Sequence, residues 1–241
     1  MTSAPSSALS SQAAYLAVPV PTSSRPGPWP GVVIVHDILG VRDDMREQAD
    51  WLAAAGYVTV IPDLFHGRAV VRCVRGVFAQ LKAQRGPVFE QVESIRAALA
   101  GDELCTGSVG VIGYCMGGGF ALIAAGRPGW SAASVNYGMV PDNVEDVLAG
   151  ACPIVASFGG RDKSLAGAAA KVEVAAAAAG VEADVKEYPE AGHAFINRFA
   201  VASPLSPILK VMGVGYDHDA AADAKRRILT FFESHLRAPS R

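Results

Sequence analysis

From residue 108 the chain runs through an apolar stretch, Ser108-Val109-Gly110-Val111-Ile112, into Gly113-Tyr114-Cys115-Met116-Gly117. It then enters a small-residue segment that begins Gly118-Gly119-Phe120-Ala121-Leu122. Such a passage fits a buried strand that turns abruptly into a helix. The turn explains the glycines, because residues two before and two after its tip must be small for strand and helix to approach. Cys115 at the tip is then lifted above the sheet edge, at a helix N-terminus whose dipole favours a thiolate. The alternative for Cys115 is a buried core cysteine.

The surrounding pattern tells what sheet this turn belongs to. Apolar β-rich runs alternate with helical periodicity, which predicts a mostly parallel, doubly wound sheet with helices on both faces in a single domain. Strands are expected over residues 14–20 at an edge, then 31–36, 57–62, 131–137, 153–158 and 182–188. Helices are expected over 43–55, with Met45, Ala49, Leu52 and Ala53 on one face and Gly56 as its stop, and over 165–179, closed by Gly180. A terminal helix is expected over 219–236. Residues 68–100 read as two helical pieces divided at Gly86-Pro87. Residues 199–216, with Pro204 and Pro207, read as a loop that could cover a site.

An apolar share of 51% over 241 residues suffices for a sheet buried on both faces. A net charge of -2 gives no electrostatic case for nucleic acid or an anionic membrane, and neither is expected as a partner. The four cysteines, Cys73, Cys105, Cys115 and Cys152, show no C-x-x-C spacing, so a reduced, cytoplasmic setting is expected. Residues 1–12 are rich in Ser, Ala and Pro without a basic start or an apolar run, and read as a flexible tail ahead of a domain over 13–241. No stretch of uncharged apolar residues has the length of a membrane span. A monomer is expected, with a dimer as the alternative.

The chemistry expected of Cys115 is nucleophilic, since its surroundings are those of a nucleophile elbow with a thiol in place of the usual hydroxyl. A thiol nucleophile needs a base, and the base needs an acid to orient it. In α/β-hydrolases these follow the nucleophile in the order acid, then histidine, each on a loop after a strand. Asp162 follows the predicted strand 153–158 through Gly159-Gly160-Arg161. His193 follows the predicted strand 182–188 in Glu190-Ala191-Gly192-His193-Ala194-Phe195. Taken singly, Asp162 could be a turn or N-cap aspartate and His193 a packing histidine; order and spacing join them. An oxyanion would be held by the backbone N–H of Met116 and a second N–H from His36-Asp37-Ile38-Leu39-Gly40, for which Ile38 is the candidate. Asp217-His218-Asp219 reads as a helix cap rather than a metal site, and no metal or organic cofactor is expected.

These residues carry a family resemblance. Gly-Tyr-Cys-Met-Gly-Gly-Gly is joined by His36-Asp37-Ile38-Leu39-Gly40 and Pro62-Asp63-Leu64-Phe65 upstream. Downstream stand Phe158-Gly159-Gly160-Arg161-Asp162 and Ala191-Gly192-His193-Ala194-Phe195. Together, from about residue 31 to the terminal helix, they resemble the dienelactone hydrolase family. The resemblance implies an α/β-hydrolase fold and a Cys115-His193-Asp162 triad that opens a small ester or lactone through an acyl-enzyme. It also implies a thiol-activating carboxylate at Asp37, where family members often carry the longer glutamate; a loop or capping aspartate is the alternative. Family members that act on anionic lactones grip the carboxylate with arginines, which here points to Arg198, with Asn197 equally placed to reach inward, and to Arg68, Arg72 or Arg75. Rival readings are a thioesterase or acyltransferase on the same fold, or a non-catalytic, redox-responsive thiol protein.

Overall fold

The computed structural model describes residues 5–68, 70–198 and 214–237. Seven strands form one sheet in the order β1-β3-β2-β4-β5-β6-β7. They are β1 Tyr15–Ala17, β2 Trp29–Val35, β3 Val58–Ile61, β4 Cys105–Tyr114, β5 Ala132–Asn136, β6 Ile154–Gly159 and β7 Ala183–Tyr188. Only β1 runs antiparallel, on the outer edge of β3. The remaining strands are parallel, so their carboxyl ends converge on one edge of the sheet. Loops at that edge are where an open α/β sheet holds its ligands.

Strand β2 shows why the apolar runs read as buried on both faces. All seven of its residues are buried; Val33 and Val35 pack into one core, and Val32 and Ile34 into the other. That is the period-two alternation of a strand covered by helices on each side. One core lies under α2 (Asp43–Ala54) and α8 (His218–Leu236), which contribute Met45, Leu52, Ile228 and Phe232. The other lies under α3 (Val70–Ala83), α4 (Pro87–Ala100), α5 (Met116–Ala125), α6 (Val144–Leu148) and α7 (Ala168–Ala179). This doubly wound arrangement is the expected one. Among the described residues no helix is long and apolar enough to cross a membrane.

Differences from the expected elements have local causes. Residues 1–12, expected as a flexible tail, carry helix α1 over Ser7–Gln12, and Ser6 caps it through its hydroxyl. Leu9 on this helix is fully buried, and the Ser6 N–H donates to Asp102 Oδ2 at 2.8 Å. The helix expected over 165–179 is interrupted: a single 3-10 turn over Lys163–Leu165 ends before Gly167, whose φ of 77° breaks the run, and α7 begins at Ala168. Helix α6 has no sequence signal of its own, being five residues long. The loop expected over 199–216 lies almost wholly outside the described residues.

Candidate active site

The turn after β4 is as tight as the glycines predict. Cys115 sits at φ 54°, ψ -116° between β4 and the first residue of α5, a conformation that costs a side chain about 1–3 kcal/mol and persists only where its surroundings enforce it. The enforcement is visible in the packing. A Cβ on Gly113 would lie 2.0 Å from the Gly117 carbonyl oxygen, and one on Gly117 would lie 2.0 Å from that of Val35. On the far side a Cβ on Gly118 would meet Gly138 Cα at 2.8 Å. Gly117→Ala is therefore expected to cost more than about 3 kcal/mol in urea denaturation, by forcing β2 and α5 apart. A loss under about 1 kcal/mol would contradict this packing.

Three loops at the carboxyl edge meet at Cys115. Asp162, after β6, is 4% exposed, and its Oδ1 accepts from the Ser164 backbone N–H at 3.0 Å and from the Ser164 hydroxyl at 2.5 Å. Its Oδ2 pairs with His193 Nδ1 at 2.5 Å. The Cys115 thiol lies close enough to His193 to act on the charge of its ring. Backbone bonds hold the two loops together: Gly160 N–H donates to Tyr188 O, and Arg161 N–H to Ala191 O, at 2.8 and 2.9 Å. Burial alone would lower the imidazole's pKa, but hydrogen bonds and charges from Asp162 and Cys115 prevail and raise it to about 10. Burial works against the Asp162 carboxylate as well, yet the bonds from His193 and Ser164 leave its pKa below the ordinary value. The arrangement sets a thiol, an imidazole and a carboxylate in series.

The loop after β2 lies near enough for Asp37 to feel the charge of His193. Leu39 N–H donates to Asp37 Oδ1 at 2.7 Å, and Gly40 N–H turns back to the Asp37 carbonyl at 3.3 Å. The Ile38 N–H is outside these turn bonds. The Met116 N–H opens helix α5, where a first-turn donor has no intrahelical partner. Asp37 thus caps its own loop, and the only side-chain hydrogen bond it makes among the described residues is the one from Leu39. Burial pushes its carboxyl up to about 6 against the opposing pull of the Leu39 N–H, and it feels the charge of His193.

Residues named for a substrate carboxylate separate in space. Asn197 is 1% exposed, and its Oδ1 accepts from Gln48 Nε2 at 3.4 Å. Arg198 is exposed, stacked on the Tyr216 ring at 4.5 Å with a hydrogen bond to its hydroxyl at 3.0 Å. Arg68 and Arg75 face solvent, and the Arg72 side chain lies outside the described residues. Asp217 caps α8 by accepting from the Ala220 N–H at 3.0 Å.

Two residues had no role in the sequence reading. His36 is fully buried, with Nδ1 2.7 Å from the Asp37 carbonyl, while its Nε2 accepts from the Leu64 N–H at 3.1 Å. It therefore pins the Asp37–Ile38 loop to the loop after β3 as a neutral ring protonated at Nδ1. Tyr137, fully buried at φ 40°, sets its ring edge-on to His193 at 5.3 Å between centroids. Its place immediately after β5, at the carboxyl edge, is the one signal that could have singled it out.

Known proteins agree with this architecture. The model of the dienelactone hydrolase family matches residues 13–236. A carboxymethylenebutenolidase from Pseudomonas putida is 27% identical over 219 residues, covering 87% of each chain. A dienelactone hydrolase structure from Anabaena variabilis superposes with a TM-score of 0.66 at 21% identity, covering 92% of this chain and 91% of that one. A dienelactone hydrolase-like promiscuous phosphotriesterase from metagenomic libraries gives a TM-score of 0.70 at 23% identity, covering 88% and 89%. With the family model spanning the sheet, its covering helices and all three converging loops, the chain belongs to the dienelactone hydrolase family.

Proposed function

We propose that this protein hydrolyses small carboxylic esters or lactones through an acyl-enzyme on Cys115. The observation that carries this reading is the bond between His193 and buried Asp162, with the Cys115 thiol close enough to act on the same imidazole, all three drawn from separate loops onto one sheet edge. Names of relatives such as the Pseudomonas putida carboxymethylenebutenolidase support the lactone class.

With Nδ1 engaged by Asp162, His193 turns Nε2 toward the sulfur and carries its proton. The thiolate attacks the acyl carbon, and the carbonyl oxygen becomes an oxyanion held by the N–H groups of Ile38 and Met116. As the intermediate collapses, Nε2–H gives its proton to the departing alkoxide, leaving a thioester on Cys115. Water then attacks the thioester while Nε2 takes its proton, and the sulfur leaves as thiolate. Asp162 keeps the ring in the tautomer that both steps need and stabilises the imidazolium. Asp37 acts on His193 through charge, since its Oδ1 is committed to Leu39.

The test is acid quenching during turnover of p-nitrophenyl acetate, followed by peptide mass spectrometry. One acetyl group on the peptide containing Cys115, formed with a burst of p-nitrophenol, is the expected result. Steady turnover with acetyl elsewhere, or nowhere, would remove the acyl-enzyme. A companion expectation concerns Arg198: because it is exposed on Tyr216, Arg198→Ala should leave kcat/KM within about twofold for neutral and carboxylate-bearing esters alike. A selective rise in KM for the carboxylate-bearing ester would restore Arg198 as a substrate contact.

A further inference from the structure

We infer that His36 is the positioning residue of the oxyanion site: it aims the Ile38 N–H at the acyl oxygen by holding the carbonyl at the other end of the same peptide. The inference deepens the hydrolase reading and rests on it for the role of Ile38.

A planar trans peptide sets its C=O and its N–H in opposite directions, and the peptide joining Asp37 to Ile38 is trans. Whatever fixes the Asp37 carbonyl therefore fixes where the Ile38 N–H points. Two donors reach that carbonyl, His36 Nδ1 at 2.7 Å and the Gly40 N–H at 3.3 Å. On its other side the imidazole accepts the Leu64 N–H on Nε2 at 3.1 Å. That N–H can only donate and the carbonyl can only accept, so the ring's single proton sits on Nδ1. His36 is fully buried, with its ring centroid 5.0 Å from that of Phe65, and burial lowers its pKa and keeps it neutral.

The direction follows from the sheet order, in which β3 and β4 flank β2 on opposite sides. Leu64 follows β3, so the path from the Asp37 carbonyl through the imidazole runs toward that flank. The Ile38 N–H then points toward the other flank, where Cys115 follows β4. The two turns touch there, since a Cβ on Gly117 would lie 2.7 Å from the carbonyl oxygen of His36 itself. The anchor on the β3 side is braced in turn. Asp63 accepts the Phe65 N–H on Oδ1 at 2.8 Å and the Gly67 N–H on Oδ2 at 2.6 Å, and Gln91 of α4 donates to the Asp63 carbonyl at 3.2 Å. Without the imidazole, the longer bond from Gly40 is what remains on the Asp37 carbonyl among the described residues, and the Ile38 N–H loses its aim.

The test sets acyl transfer, which builds an oxyanion, against alkylation, which does not. His36→Leu keeps a buried apolar side chain and removes both ring nitrogens; its kcat/KM for p-nitrophenyl acetate is expected to fall roughly 100-fold. With iodoacetamide the Cys115 thiolate bonds to a saturated carbon as iodide leaves, so the alkylation rate and its pH profile should stay within about twofold of wild type. His36→Asn offers an amide N–H to the Asp37 carbonyl from near the place of Nδ1, and should recover at least about threefold over the leucine variant. Turnover by His36→Leu within about threefold of wild type overturns the inference and leaves the hydrolase reading intact. A parallel fall in alkylation overturns it too, because the substitution would then disturb the thiol rather than the oxyanion site. An asparagine variant no faster than the leucine one would overturn the part given to the Asp37 bond. Absence of ester turnover in the wild type would overturn the hydrolase reading and the role of Ile38 with it. Should the variants not fold, nitrogen NMR of the wild-type imidazole decides: a proton on Nδ1 and a bare Nε2 support the anchor, and a proton on Nε2 overturns it.

Discussion

Cys115→Ala is expected to abolish ester turnover, lowering kcat/KM by about 10,000-fold while the folded structure survives. Alanine fits the site because it asks no more of the backbone than cysteine does: both carry a Cβ, and the turn already holds one at φ 54°. In the proposed mechanism what disappears is the atom that bonds to the acyl carbon, so remaining donors can only polarise a carbonyl toward water. Assay with p-nitrophenyl acetate, beside urea denaturation of the same variant, separates loss of chemistry from loss of fold. A residual rate within about tenfold of wild type would sink the covalent mechanism. Cys115→Gly gives a physical control. It should be equally inactive yet more stable than the alanine variant by about 1 kcal/mol, because glycine adopts the positive φ without strain. Strain at this turn and nucleophile exposure are thus two faces of one conformation.

That the elbow could be read from sequence follows from how little else satisfies its constraints. Gly113 and Gly117 leave no room for Cβ atoms, and the order Cys115, Asp162, His193 follows β4, β6 and β7 of a parallel sheet. The apolar runs were legible because strands such as β2 are buried on both faces and carry no polar interruption. Less was legible where tertiary contact decides. Helix α1 is held by buried Leu9, by a hydrogen bond from Ser6 to Asp102, ninety-six positions away, and by one from Ser94 to Gln12. Asp37 looks alike in sequence whether it reaches a thiol or caps its own loop, and the bond from Leu39 to its Oδ1 is visible only in the fold. Arg198 and Asn197 are neighbours in sequence, and the backbone bond from Asn197 N–H to the Ala194 carbonyl shows the chain turning there. Adjacent side chains consequently leave in opposite senses, one toward Gln48 in the core and the other onto Tyr216 at the surface. His36 joins two loops and Tyr137 packs against His193, and no motif spacing encodes either contact.

Asp162→Asn is expected to cut kcat by roughly 1,000- to 10,000-fold with little change in KM, for a reason set by Ser164. The Ser164 N–H can only donate, so the amide of an asparagine must turn its oxygen that way. Its NH2 then faces His193 Nδ1 and forces that nitrogen to accept. The ring's proton moves to Nε2, the wrong tautomer for receiving a proton from the thiol. The stability of the two proteins should diverge in a matching way. His193 is held at about 10 against a burial that would lower it, by Asp162 and Cys115. Its raised value stabilises the fold fully below its unfolded value of about 6.5, and that contribution is lost as pH rises toward about 10. The urea-denaturation gap between wild type and Asp162→Asn should therefore be widest near about pH 6 and narrow steadily to about pH 10. A gap independent of pH over this range would mean that the carboxylate holds its loop rather than the imidazolium, and the relay would lose its acid.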